Sequence, residues 1–402
     1  MAGIGIVGAG ISGLTLALRL QQLGVEATLY SEGDAASMSS GRLPNTVART
    51  QQTQAREREL GCEHLADPGC LMDTVSFSIK GVPPLEFTGR IADPYHVADF
   101  RLLLPALMDD FTRRGGEIVV ADTSPDAAQV DRWSQRHELM VVAAGRRSVA
   151  ELFPRDAGRS PYDSPQRRLF AGLFHGIRPS TTFAYNISPA CGEIFRMPMM
   201  TRHGLVSSIV VEAIPGGPFE PLTLMDPAEV APALLAAIAE HAPRLREMID
   251  PAGFELTGPE DALQGAVTPT VREAVAKLPS GRVALAIGDA WITNDPLTGQ
   301  GANGGSACAW IAAESIAAGG PYDVGFAHAT DERMWDEAAG PVTMWTNMFL
   351  QPPPDHIIGL LAAAATRVEV ADRVMGLFGD PVRNWAVLSN PDKLNRLVDA
   401  LV

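Results

Sequence analysis

Several residue types that carry common chemistry are scarce in this chain of 402 residues. Its four cysteines, Cys62, Cys70, Cys191 and Cys308, show no CxxC spacing, which fits reduced thiols better than a disulfide framework or a zinc site. Eight dispersed histidines form no metal-ligand pattern. No apolar run reaches the length of about 18 residues that a spanning helix needs, so no membrane association is expected. Lys and Arg number 32 against 47 Asp and Glu, and a net charge of −15 speaks against nucleic acid or an anionic membrane as the main partner. There is no GxSxG elbow, no SxxK and no Cys with an obvious His partner, which removes the common hydrolase templates. The opening residues enter a strand without a basic region or cleavage site, so a cytoplasmic protein is expected.

What the chain does have is glycine in a specific frame. Ile4-Gly5-Ile6-Val7 is a short apolar run that ends in Gly8-Ala9-Gly10-Ile11-Ser12-Gly13. Leu16, Leu20 and Leu23 follow at helical spacing, Gly24 ends the helix, and Val25 to Tyr30 reads as the second strand. Placed between a strand and a helix, GxGxxG is a dinucleotide fingerprint. Gly8 makes the tight turn, Gly10 lets the backbone approach a pyrophosphate, and Gly13 lets helix and strand pack closely. The helix N-terminus, with Ser12 in its first turn, offers free amides and positive potential.

A second motif narrows the cofactor. The buried-strand run Val283 to Ile287 leads into Gly288-Asp289-Ala290, and Asp295-Pro296-Leu297-Thr298-Gly299-Gln300-Gly301-Ala302-Asn303 follows. An Asp at the C-terminal edge of a strand can accept hydrogen bonds from sugar-alcohol hydroxyls, which a flavin's ribityl chain presents. Pro296 and the glycines shape a turn that opens a helix through Ala307 to Ile316, aiming positive potential at the pyrimidine edge of an isoalloxazine ring. Gly299, Gly301 and Gly304 satisfy GxGxxG formally, but Asp-Pro rather than a strand precedes them, so they mark no second nucleotide site.

Length and a 46% hydrophobic content allow two intimately packed domains. Between Leu169 and Val211 the pattern turns to short β-like runs, Leu169 to Phe174, Thr181 to Tyr185 and Leu205 to Val211. A helical stretch, Pro227 to Met248, comes next, and after Pro321 the chain reads helical. The expected fold is α/β, a Rossmann-like FAD-binding domain with an inserted, mainly antiparallel β-sheet substrate domain and a C-terminal helical segment. The expected boundaries are 1–75, 97–168 and 266–322 for the first, 76–96 and 169–265 for the second, and 323–402 for the helical segment.

GAGISG paired with GDAWITNDPLTGQGAN resembles the FAD-dependent aromatic monooxygenases built on the p-hydroxybenzoate hydroxylase fold. Gly41-Arg42-Leu43-Pro44-Asn45-Thr46-Val47-Ala48, Asp99-Phe100-Arg101-Leu102, Ile249-Asp250-Pro251-Ala252 and Trp345-Thr346-Asn347 resemble the styrene and indole monooxygenases in particular. The resemblance covers nearly the whole chain. It implies an oxygenase component that holds FAD, takes reduced FAD from a separate NADH-dependent flavin reductase, and reacts with O2 to form a C4a-hydroperoxide. Its aromatic small-molecule substrates are epoxidised at a vinyl or indole-type double bond, or oxidised at sulfur. The protein's task is to orient the substrate and exclude water, without an obligatory side-chain acid or base. A homodimer stays open.

Residue by residue, the resemblance sets Gly8, Gly10 and Gly13 at the pyrophosphate and Arg42 and Arg101 near the cofactor, although a plainer role as a salt-bridge partner is open to either arginine. Asp289 matches the ribityl-binding acid. Pro296, Gly299, Gln300, Gly301, Ala302 and Asn303 match the loop beneath the ring, and Asn45 and Val47 the pocket beside its reacting edge. Where a ribose-holding acid is expected after the second strand, Ser31 stands, with Glu32 one step later. Arg49 falls where styrene oxygenases carry a histidine, and Met72 and Tyr95 follow neither subgroup, which leaves room for a substrate larger or more polar than styrene. Phe174, Phe183, Tyr185, Met197 to Met200, Trp291 and Pro296 are candidate pocket walls. Single-component hydroxylases that take electrons directly from NAD(P)H carry an Asp-Gly motif where this chain has Ala144-Gly145, which speaks against that route. A flavin-dependent dehydrogenase or saturase would hold the same cofactor without using oxygen productively. A non-catalytic flavin-binding module would have no use for the Asn45 loop and the apolar sheet.

Overall fold

The structure, a computed structural model, describes residues 3–65, 67–145 and 147–400; the last two residues of the C-terminal segment lie outside that range. Two large sheets organise it. The first has six strands in the order Val275–Lys277, Val283–Ala286, Leu139–Val142, Ile4–Val7, Ala27–Ser31 and Glu117–Val120. All its pairings are parallel except that of Val275–Lys277 at one edge. Ile4–Val7, Leu139–Val142 and Val283–Ala286 are buried along their whole length, which is why they read as unbroken apolar runs: helices cover both faces of a parallel sheet. Helix Ile11–Gln22 and the long helix Gly301–Ala317 lie together on this sheet. Their approach is so close that a Cβ at Gly305 would stand 2.3 Å from Ser12 Oγ.

The second sheet has eight strands, in the order Ala262–Ala266, Arg168–Phe174, Gly204–Ala213, Gly192–Thr201, Thr182–Ser188, Leu71–Ile79, Leu85–Ala98 and Val47–Arg49. Its ladders are antiparallel apart from Leu71–Ile79 with Thr182–Ser188 and a single parallel bridge between Met200 and Ala98. This is the mainly antiparallel sheet expected from the sequence. Strand alternation divides its side chains between two cores. Phe170 and Phe174 face helix Val230–His241, whereas Ala171, Leu173, Tyr185 and Phe195 face the C-terminal helices. The C-terminal helices, from Val324–Met334 through Pro391–Asp399, follow Pro321 as expected, the first of them packing on the parallel sheet.

The stretch Pro227 to Met248 is not one helix. It breaks at Ala242, which adopts φ −142° and ψ 60° before Pro243 starts a fresh turn, because proline disfavours a helical residue before it and donates no backbone hydrogen bond. Strand Leu205 to Val211 runs on to Ala213, which carries Glu212 into the sheet.

Candidate functional site

A groove of about 850 Å³ opens where the C-terminal ends of Ile4–Val7 and Ala27–Ser31 meet the N-termini of the two central helices. Gly8 lines it at φ +109°, and a Cβ there would stand 2.8 Å from Ala144 N, so the turn admits glycine alone. Gly10 caps helix Ile11–Gln22 with no side-chain cap, and a Cβ on it would meet nothing within 4 Å, projecting instead into open space. The first amides of that helix therefore face a space fit for a phosphate. Gly13 lies behind the groove, where a Cβ would clash with the Gly8 carbonyl at 1.9 Å. Ser12 lines the groove next to Gly10, and half-buried Glu32 follows the second strand. Arg42 stands exposed on the rim, its Nε 3.5 Å from Glu260.

Arg101 reaches the groove wall but is fully engaged within the protein. Its guanidinium donates to Asp99 at 2.5 Å and lies 2.7 Å from Asp261, with all three groups buried. Arg101 is thus a salt-bridge partner that also lines the groove. On the far side, Asp289 projects into the groove with protein packed round its base. That burial raises its carboxyl above the ordinary range, and Arg272 offsets part of the rise. Pro296, Gly299, Gly301 and Ala302 complete this wall at the start of helix Gly301–Ala317, which likewise has no side-chain cap. Asn45 and Val47 line the same groove.

Three expected site residues sit elsewhere. Arg49 touches neither the groove nor the cavity behind it. A fully buried guanidinium needs an anion, and it finds Glu57 Oε2 at 2.5 Å, with the His64 carbonyl at 3.2 Å. The side chain of Asn303 turns away from the groove to form a clamp. Its Oδ1 accepts from Thr53 Oγ1 at 2.7 Å and Thr50 N at 3.1 Å, and its Nδ2 donates to the Ala48 carbonyl at 2.9 Å. Gln300 faces the inner cavity and donates from Nε2 to the Phe378 carbonyl at 3.0 Å.

That inner cavity, about 100 Å³, shares Thr46, Val210, Pro296 and Gly299 with the groove. Phe183, Tyr185, Met197 and Pro296 form walls as expected, and so do Met72 and Tyr95. Phe174 does not: it stacks on Phe254 at 4.7 Å on the other face of the sheet. Trp291 packs edge-on against Trp335 in the first core, and of Met197 to Met200 only Met197 reaches the cavity. Sequence reasoning missed Met375, Phe378 and Glu212. The first two come from the C-terminal segment, whose helical pattern does not say what it covers. A glutamate after Val210-Val211 reads as the solvent-facing end of a strand.

A flavin dinucleotide fits these residues. Besides the two open helix N-termini, Asn45 Oδ1 and Gln300 Oε1 are buried acceptors with no hydrogen-bond partner, gathered where groove and cavity meet. Ring N–H groups and ribityl hydroxyls are the donors that such acceptors lack.

Nearly the whole chain superposes on solved structures. A flavin-dependent brominase, Bmp2 in a triple-mutant form, matches with a TM-score of 0.68 at 17% identity, covering 98% of this chain and 99% of that one. A mutant of 2-methyl-3-hydroxypyridine-5-carboxylic acid oxygenase matches with a TM-score of 0.65 at 16% identity, covering 96% and 100%. These likenesses show the fold. Residues 145–247 match the family model described as "Styrene monooxygenase A putative substrate binding domain". The chain is 33% identical to the styrene monooxygenase StyA of Pseudomonas fluorescens over 98% of its own length and 96% of that protein's, and equally so to a StyA from a Pseudomonas species. The chain belongs to the styrene monooxygenase family.

Proposed function

We propose that this protein is the oxygenase component of a two-component system, taking reduced FAD from a separate NADH-dependent flavin reductase and oxygenating a small aromatic substrate at a double bond or a sulfide. When bound, reduced FAD supplies the activation of O2 and the transfer of one oxygen atom. The chain supplies position. In this reading the amides after Gly8 and Gly10 hold the pyrophosphate, Glu32 the ribose and Asp289 the ribityl hydroxyls. Pro296, Gly299, Gly301 and Ala302 lie under the ring, with Asn45 and Val47 beside its reacting edge. Arg42 contributes charge at the rim. Arg49, Arg101 and Asn303 act one step removed, by fixing the segments that carry those groups.

The observation that carries the reading is the shared wall: an open, glycine-lined groove and an enclosed aromatic cavity meet at Thr46, Val210, Pro296 and Gly299. A substrate seated behind that wall is kept from water by Phe77, Phe183, Tyr185, Phe195 and Phe378. The cavity is of the order of the roughly 150 Å³ space that holds one benzene, so a single substituted ring suits it. The relatives' names point to styrene, and indole or thioanisole are of similar size.

The test is to supply reduced FAD from an unrelated reductase and screen styrene, indole and thioanisole. Formation of an epoxide, indigo or a sulfoxide is expected from at least one; failure of all three with FAD bound would overturn the proposal. Anaerobic NADH or NADPH alone should leave the bound flavin oxidised.

A further inference from the structure

The wall of the inner cavity carries a carboxyl group where its surroundings are apolar. Glu212 lies opposite Glu193 on one neighbouring strand and Leu169 on the other. Strand alternation puts it on the face of Val210, whose partner Phe195 also lines the cavity. Glu193 is held by Arg167 through two bonds of 2.8 and 2.9 Å. Glu212 has no cation of its own: it is 1% exposed, and its carboxyl meets the Asp295 carboxyl in a hydrogen bond that needs one shared proton. Gln300, from the loop before helix Gly301–Ala317, lines the same cavity with its Oε1 unpartnered. A buried carboxyl and an unpartnered amide oxygen from unrelated elements thus line one small space. Leaving the amide oxygen unpaired and the carboxyl pair without a cation costs stability that a donor on a ligand would recover.

The charges around Glu212 have one sign in excess. Facing it are Asp295, Glu193, Arg167 and the Tyr185 hydroxyl. Burial, then the neighbouring Asp295 and Glu193, push the Glu212 carboxyl well above its ordinary range, and burial pushes Asp295 up to about 6. Arg167 balances Glu193. The Glu212–Asp295 pair is left to share one proton and one negative charge, in a space open to substrate on the Glu212 side and to the groove on the Asp295 side.

Resting on the oxygenase reading above, we infer that the preferred substrate is an aromatic alkene or sulfide that carries a nitrogen–hydrogen donor, an aryl amine or a benzylic ammonium, bound through that nitrogen to Glu212 and Gln300. The ring fills the space among Phe183, Tyr185 and Phe195. A plain hydrocarbon ring fills the same space but leaves Gln300 Oε1 unpaired and the charge of the carboxyl pair unanswered.

The test compares 4-vinylaniline and 4-vinylbenzylamine with 4-methylstyrene, which has no donor. Calorimetry on the FAD-loaded protein gives each Kd, and turnover with supplied reduced FAD gives each kcat/KM. Wild type should bind at least one amine roughly tenfold or more tighter than 4-methylstyrene. In E212L that preference should fall to within about twofold. E212Q, of the same shape, keeps an acceptor but cannot share a proton with Asp295, and should lose preference for the benzylic ammonium more than for the neutral aryl amine. Retained FAD binding reports that either variant is folded. Equal or weaker binding of both amines by wild type would overturn the inference, as would a preference that survives in both variants. If no compound is oxygenated yet the Kd preference holds and vanishes in the variants, the oxygenase reading fails and the binding inference stands.

Discussion

The groove and the inner cavity share a wall and are built on opposite principles. The groove is wide and lined by turns, glycines and the unpartnered ends of two helices, so backbone atoms do most of the presenting. The cavity is small, enclosed and lined by aromatic and methionine side chains projecting from a sheet, closed off by Met375 and Phe378. Cofactor binding therefore depends on where the chain can approach closely, and substrate choice on which side chains face inward. A substitution that adds a Cβ at the groove should act through FAD, whereas one that trims an aromatic at the cavity should leave FAD affinity alone.

The sharpest way to break this contrast is at Gly13. A side chain there drives the helix off the strand, because even a Cβ would meet the Gly8 carbonyl at 1.9 Å. Gly13→Val is expected to weaken FAD binding by at least roughly 100-fold, read by flavin titration. Gly10→Ala serves as its partner. Its Cβ would meet no protein atom within 4 Å, so FAD affinity should fall while the melting temperature of the FAD-free protein stays unchanged. If Gly10→Ala binds FAD as wild type does, no pyrophosphate passes over that glycine.

Asn303 joins the two regions, and its loss comes next in size. Its side chain ties the start of helix Gly301–Ala317 to Ala48, Thr50 and Thr53, all from buried or half-buried positions. Asn303→Ala leaves those partners unsatisfied and should destabilise the protein by about 2–4 kcal/mol in denaturant unfolding. Both FAD and substrate affinity should fall, since Gly299 and Gly301 line one region and Gln300 the other. A variant that lost only one of the two would show that the groove and the cavity are not mechanically joined at this residue.

The same division explains what the sequence could and could not reveal. Backbone-determined features have spacing rules, so Gly8, Gly10, Gly13, the Asp289 turn and the Pro296 to Ala302 loop were legible from spacing alone. Side-chain cavities have only parity. A strand pattern says that Phe170 and Phe174 share a face and that Ala171 and Leu173 share the other, but not which face meets the cofactor, and Phe174 fell on the wrong side. Parity separates Ala48, in the cavity, from Val47, in the groove, but it puts Arg49 on the face of Val47, and only the structure turns Arg49 to Glu57. Charged residues are the least legible. For Arg101 the sequence leaves a place near the cofactor and a salt bridge both open, and only the structure brings Asp99 and Asp261 to it.

On the cavity side, Phe195→Leu should leave FAD affinity within about twofold and destabilise the fold by about 1–2 kcal/mol. Phe195 lines the cavity and not the groove, and it packs on Tyr185 at 4.6 Å. Relative kcat/KM should shift toward larger rings. A fall in FAD affinity instead would erase the division between the two regions.

The smallest effect lies where the regions meet, at Asp295 on the groove side and Glu212 on the cavity side. Burial lifts the Asp295 carboxyl from its ordinary 3.8 to about 6 in the folded chain. A carboxyl raised on folding contributes stability that is fully present below the unfolded value and is lost as pH rises through the folded one. Between pH 5 and 7 the loss from this group is roughly 1 kcal/mol. Asp295→Asn keeps an acceptor for the Leu297 amide that Asp295 caps at 3.2 Å, and it cannot ionise. Its unfolding free energy, measured against wild type across that window, should therefore gain about 1 kcal/mol on wild type as pH rises. A difference that shrinks with rising pH would mean that Asp295 is ionised and stabilised by a cation in the native state. The excess negative charge beside the cavity would then be neutralised before any substrate arrives, and the preference for a nitrogen donor would lose its electrostatic part while keeping the hydrogen-bond part.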